Sequence, residues 1–257
     1  MSEQNRVVIT EQDRIMTIAW NRPDKKNALT QAMYGMAADA LAKAGQDKDV
    51  RVVVLTGTRD CFTAGNDLND FLTNPATGMD SPVARYLANL ANFEKPIVAA
   101  VNGPVIGVGT TMLLHCDMVV AAENSVFSLP FVKLGVCPEA ASSYLLPLLA
   151  GYHRAAELLM LGENFDAETA KECGIVNRIA PEAEYLALAR AMALKMARLP
   201  PSSLQATKSF LKATVRESML ARMQEEGETF GKLITGPEAV EAMTAFMERR
   251  EADFSKF

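Results

Sequence analysis

The stretch KPIVAAVNGPVIGVGTT, residues 95–111, decides the architecture. Its first half is a continuous apolar run, Ile97 to Val101, that stops at Asn102-Gly103. Apolar residues at consecutive positions suit a strand covered on both faces, as in a parallel sheet sandwiched by helices. The second half carries glycines at 103, 107 and 109 and reads as a turn that opens a helix. Glycine lets backbone come close to a neighbour or a ligand. A helix start also leaves N–H groups without a partner inside the helix. The glycine spacing is not GxGxxG, and the Lys-Ser/Thr of a phosphate-binding loop is absent, which argues against a nucleotide-phosphate site. Taken alone, the stretch fits a purely structural turn equally well.

Working outward, RVVVLTG at 51–57 repeats the logic: a buried strand ends at glycine and feeds the polar turn CFTAGNDLNDF, 61–71. RVVIT and IMTIAW near the start are rich in β-branched and apolar residues and read as strands. From Gln31 to Ala44 the pattern turns helical, with Met33, Met36, Ala37, Ala40 and Leu41 on one face. DMVVAAENSVFSLP contains two further short strands. EAASSYLLPLLAG, HRAAELLMLG and DAETAKECG read as short helices closed by glycine. GIVNRIA is a last strand. Beyond Pro181 only helix is expected: a long amphipathic one from Pro200-Pro201, with a break near Gly227, and a final one from Gly236. Strands alternating with helices, then helices alone, predict an α/β core at 1–198 and a helical module at 199–257.

The bulk properties narrow the function. The chain has 257 residues, 49% hydrophobic and 22% charged, the balance of a globular protein rather than a disordered one. A net charge of -5 gives no general footprint for nucleic acid, although a local basic cluster can still hold an anion. No apolar run reaches the length of a membrane span, and the polar start MSEQNRVVIT lacks a signal-peptide core. Cys61, Cys116, Cys137 and Cys173 form no CxxC pair, and His115 and His153 lack partners at ligand spacing, so no metal site is expected. The final Ser255-Lys256-Phe257 matches the peroxisomal signal SKL only in part, which leaves the cytoplasm as the expected compartment.

Read together, FTAGNDL after the 51–57 strand, KPIVAAVNGPVIGVGTTMLLHCDMVVA, FSLPFVKLGVCPEAASSYLLP and the segment ending in GIVNRIA resemble the enoyl-CoA hydratase/isomerase (crotonase) superfamily, in its order and spacing and over nearly the whole chain. The resemblance implies a crotonase-like spiral of ββα units with a C-terminal helical trimerisation module, giving a homotrimer or a dimer of trimers. It implies an acyl-CoA substrate whose enolate oxygen is held by the backbone N–H groups of Asn66 and Val108. CoA would enter as part of the thioester substrate, with no separate cofactor. Lys25, Lys26 and Ala28 would border the CoA. Ala64, Gly65, Asp67, Leu68, Gly107, Thr111 and Phe131 would line the rest of the substrate site. Arg249 is a weaker candidate, reaching a neighbouring subunit's CoA. The apolar tail residues Leu204, Phe210, Leu211, Leu220, Met223, Phe230 and Leu233 add to the expectation of an oligomer.

The reaction turns on what is missing. Hydratases of this superfamily use two glutamates, and the matching positions here are Thr111 and Phe131. Neither a hydroxyl nor a phenyl ring can do that acid–base work. One carboxylate remains, Glu139, and its surroundings resemble the peroxisomal-type Δ3,Δ2-enoyl-CoA isomerases, whose single catalytic glutamate it matches. A rival reading makes Glu139 a helix N-terminal residue favoured by the dipole. At the level of function the rivals are a hydratase or another crotonase-type acyl-CoA lyase, and a catalytically silent acyl-CoA-binding protein.

Overall fold

The computed structural model describes residues 5–58, 60–74, 78 and 80–257. Its principal sheet has six strands. Strand β1 (Val7–Gln12) pairs antiparallel with β2 (Ile15–Trp20), whereas β3 (Val52–Gly57), β4 (Ile97–Val101), β6 (Met118–Ala122) and β9 (Arg178–Ala180) follow in parallel. The unbroken apolar runs are explained by cover on both faces. On β3, Val53 and Leu55 join the main core with α1 (Gln31–Gln46) and α3 (Pro82–Asn92), while Val52 and Val54 face Ala189 and Ala193 of α8 (Tyr185–Ala197). On β4, Ile97, Ala99 and Val101 turn to the first side, Val98 and Ala100 to the second.

A second sheet, β5 (Pro104–Ile106), β7 (Val126–Ser128) and β8 (Asn164–Asp166), stands on the strand-exit side. The segment after β3 crosses to it: Thr63 forms a parallel bridge with Val105, and Asn66 forms one with Leu29. Residues 63–66 are thus held between the end of the 23–29 loop and β5. This segment then enters α2 (Leu68–Thr73), capped by the Asp67 carboxylate on the Asp70 N–H at 3.0 Å. After β5 comes the short helix α4 (Val108–Thr111).

The strands of the principal sheet and the helices at 31–46, 142–161 and 167–172 fall where the sequence places them, whereas β5 lies in a stretch read as a turn and β8 was not read as a strand; α5 is Ser142–Ala150, α6 Tyr152–Leu161 and α7 Ala167–Glu172. The tail departs from expectation. The long helix does not break at Gly227. It breaks at Thr214-Val215, between α9 (Pro201–Ala213) and α10 (Arg216–Leu233). Two β-branched residues in succession weaken a helix, whereas the turn at Gly227 is secured by its neighbour Glu226, which is bonded to α5. The final helix α11 (Pro237–Glu248) packs Ala239 and Met243 into the main core.

Of the seven apolar tail residues singled out above, only Phe210 and Leu211 stay exposed. Leu204, Leu220, Met223, Phe230 and Leu233 pack against the chain's own core. Further large apolar side chains are exposed on α5 and α6, among them Leu148, Tyr152 and Met160. No helix among the described residues is long and apolar enough to cross a membrane.

Candidate active site

Where the two loops meet, a cleft of about 670 Å³ opens, bordered by residues of α2, the turn after β5, the 130–136 segment, α10 and α11. Of the residues the sequence nominates, Lys25, Ala28, Ala64, Gly65, Asn66, Asp67, Leu68, Gly107, Val108 and Phe131 line it. Lys26, Thr111 and Glu139 do not. Lys26 adopts a left-handed conformation, and its carbonyl accepts the Ala64 N–H at 2.9 Å, so its backbone supports the loop. Arg249 stands at the left-handed end of α11, outside this chain's own cleft, which the adjacent Arg250 lines. Sequence reading also missed Ile106, Lys133, Leu134, Val136, Ile234, Met243 and Phe246. The signal for the last two was the i, i+3 spacing of apolar residues on the final helix.

The two nominated donors share this cleft. In a parallel bridge, the partner residue's flanking groups make the bonds. Leu29 N–H donates to Gly65 O at 2.8 Å and Asp67 N–H donates to Leu29 O at 2.8 Å. The Asn66 N–H therefore points to the opposite edge, where β5 and its turn lie. Gly65 brings these loops together: a Cβ there would stand 3.1 Å from Ile106 O. Gly107 precedes Val108 with φ 57° and ψ −117°, a conformation open to glycine and strained for other residues. Val108, as the first residue of α4, has an N–H that no preceding turn of that helix can accept.

The loop is braced from several sides. Arg22 pairs with Asp67 at 2.5 Å, and the Thr63 hydroxyl donates to Asn27 O at 2.7 Å. Tyr34, buried on α1, donates its hydroxyl to Asn66 Oδ1 at 2.5 Å.

Glu139 is 8% exposed, and its Oε1 is buried without a hydrogen-bond partner among the described residues. Burial, then the nearby Glu226 charge, push its carboxyl up to about 8, while the neighbouring Thr111 hydroxyl pulls the other way. Thr111 ends the helix that Val108 begins, so Glu139 sits beside the turn carrying one nominated donor. Tyr34 also feels Glu139: burial first, then this carboxylate, raise the phenol well above its usual value. Glu139 is not the N-terminal residue of α5. It lies three positions ahead of Ser142, and Glu226 takes the α5 N–H groups instead. Phe131, where a second glutamate was sought, is buried and turns that wall apolar. His115 is buried with Nε2 2.8 Å from Ala140 O, and burial lowers it to about 4, a neutral structural ring. Among the described residues, no cluster of three or more histidine, cysteine or acidic side chains could hold a metal ion.

The sequence profile of the enoyl-CoA hydratase/isomerase family matches residues 10–256. The chain belongs to that family. It is 33% identical to 2,3-dehydroadipyl-CoA hydratase of Escherichia coli (strain K12), over 96% of this chain and 98% of the relative. It is also 33% identical to enoyl-CoA delta isomerase 2 of Rattus norvegicus, over 96% of this chain but 65% of that longer protein. The crystal structure of an enoyl-CoA hydratase/isomerase from Pseudoalteromonas atlantica T6c superposes with a TM-score of 0.93 at 39% identity, covering 98% of this chain and all of the other. The fold is therefore that of the crotonase superfamily. Relatives of equal identity carry hydratase and isomerase names, so the reaction has to be argued from the site.

Proposed function

We propose that this enzyme is an enoyl-CoA isomerase that shifts a 3-enoyl-CoA double bond to the 2-trans position. The observation that carries the reading is a buried carboxylate, Glu139, beside the Val108 turn, with Thr111 and Phe131 at the positions of the two hydratase glutamates. The thioester oxygen would rest on the Asn66 and Val108 N–H groups, with the acyl α-carbon turned toward Glu139 beside the Val108 turn. Glu139 takes the C2 proton, and the electron pair moves onto the thioester oxygen. Two preorganised donors stabilise the charge where it develops. The same carboxyl then returns the proton to C4, and the double bond forms between C2 and C3. A carboxyl raised to about 8 suits both halves, because a general base works best with a pKa near the working pH. The thioester itself makes the C2 proton acidic, so the step draws on no redox group.

The CoA phosphates would meet Lys25, Lys133 and Arg250 at the cleft. The apolar residues Leu134, Val136, Phe230, Ile234, Met243 and Phe246 suit a hydrocarbon acyl chain. The exposed apolar side chains of α5 and α6 support assembly as a homotrimer or a dimer of trimers. Residues 1–198 would then hold the donor loops, Glu139 and the α5–α6 assembly surface, while 199–257 complete the cleft as well as adding to the oligomer, in a cytoplasmic enzyme.

The test of the reaction is Glu139→Gln. It keeps the shape and removes the proton acceptor, and should lower isomerase turnover by roughly 10²- to 10⁴-fold with acyl-CoA binding little changed. Turnover within a few-fold of the parent enzyme would refute the role.

A further inference from the structure

We propose that Glu226 is a positioning residue for Glu139: from α10 it fixes the turn that carries the catalytic carboxylate, and its charge tunes that carboxylate. The proposal rests on the isomerase reading of Glu139 and adds a residue 87 positions away in sequence to its machinery.

The turn after Glu139 is strained. Ala140 and Ala141 have φ of 58° and 56°, two left-handed non-glycine residues in succession. A residue with a Cβ adopts this region only at a cost, and the surroundings have to hold it in place. Alanine has no side chain with which to fasten itself, so the clamp acts on backbone. On one side, the His115 ring meets Ala140 O. On the other, Glu226 Oε2 accepts the Ala141 N–H at 2.6 Å, and Oε1 accepts the Ser143 N–H at 3.0 Å and the Ser143 hydroxyl at 2.5 Å. The capping position of α5 is Ala141, which offers no oxygen of its own. The carboxylate arrives from elsewhere in the chain, at a site only 6% exposed on a helix that is otherwise mostly exposed. Burial raises the Glu226 carboxyl above its usual value, and the three donors on its two oxygens pull it back toward the ionised form.

An ionised Glu226 next to Glu139 disfavours a second negative charge and helps keep Glu139 protonated until higher pH. The Thr111 hydroxyl from α4 also acts on Glu139, and Glu139 in turn raises the Tyr34 phenol on α1 and the Cys137 thiol on its own segment. Glu226 is the acidic group among them whose charge raises Glu139. One turn further along α10, Phe230 lines the cleft, so one rigid helix both borders the acyl chain and holds the Glu139 turn.

The experiment measures isomerase kcat and KM against pH for the parent enzyme, Glu139→Gln, Glu226→Gln and Ser143→Ala, with 3-enoyl-CoA. Glu226→Gln should lower kcat by about 10- to 100-fold, as expected for a misplaced catalytic group. KM should stay within a few-fold, and the rising limb of the kcat profile should move to lower pH. A role confined to stability would leave that limb in place. An inactive Glu139→Gln beside a Glu226→Gln enzyme with parental kcat and profile overturns this proposal alone. An active Glu139→Gln enzyme overturns the isomerase reading and this proposal with it. Should Glu226→Gln not fold by circular dichroism, Ser143→Ala carries the test: a several-fold loss of kcat at unchanged KM supports the proposal, and parental kcat overturns it.

Discussion

Tyr34 holds Asn66 through a hydrogen bond of 2.5 Å from the phenol to the amide oxygen, so a buried ring on the first helix steadies the residue whose backbone N–H faces the cleft. Removing the hydroxyl leaves the ring packing against Tyr86 intact. Tyr34→Phe should therefore cost about 0.5–1.5 kcal/mol in stability, the usual net worth of such a bond. Its larger effect should fall on kcat, because the donor loses its brace. Denaturant unfolding and steady-state kinetics on the same preparation separate the two effects. A kcat equal to that of the parent would show that Asn66 needs no such support.

The buried carboxylate sets a pH dependence. Glu139 is raised to about 8 by burial first and by Glu226 second. As the proposed base it must be ionised, so kcat should climb with pH and level off above about 8. For stability the sign is the reverse. A carboxyl whose folded pKa is raised gives stability that is complete below its unfolded value and is lost as pH rises through about 8. The parent should lose more unfolding free energy than Glu139→Gln between pH 6 and pH 9, read by urea titration at several pH values.

Gly107 sits at φ 57° and ψ −117°, and a Cβ there would meet nothing within 4 Å. Space is available, so strain alone decides the outcome of Gly107→Ala, at about 1–3 kcal/mol. The change should lower the melting temperature and reduce turnover further, since the peptide joining Gly107 to Val108 carries the second proposed donor. Melting by calorimetry beside kcat gives the answer, and an unchanged kcat would move the donor elsewhere.

Lys208 ties α9 to the sheet. Its ammonium donates to Asp117 Oδ2 at 2.7 Å and to Lys95 O at 2.8 Å, and it is nearly buried. Lys208→Met breaks one partner of a largely buried pair and should cost about 3–5 kcal/mol. The pair stands away from the cleft, so turnover per folded molecule should not change.

The sequence showed the sheet and both loops, because strands buried on both faces write themselves as unbroken apolar runs. It also showed Glu139 as the remaining carboxylate, through the replacement of two others by Thr111 and Phe131. It did not show α2, because CFTAGNDLNDF reads as a polar turn until the Asp67 cap is placed. Glu226 was invisible for a different reason. In sequence it is one acidic residue among several on an exposed-looking helix, and only the fold brings it to the N–H groups of Ala141 and Ser143. Lys26 misled because its side chain suggested a ligand while its backbone does the structural work. The break of the long tail helix went to Thr214-Val215 rather than Gly227 because tertiary bonds at Glu226 outweigh the low helix propensity of glycine.

The central claim is that one carboxylate moves a proton while no pair activates water. It is tested most directly by giving the purified protein a 3-enoyl-CoA and a trans-2-enoyl-CoA under identical conditions and measuring isomerisation and hydration rates. With Thr111 and Phe131 in place of the hydratase glutamates, isomerisation should exceed hydration by at least about 10²-fold. A hydration rate equal to or above the isomerisation rate would contradict the account.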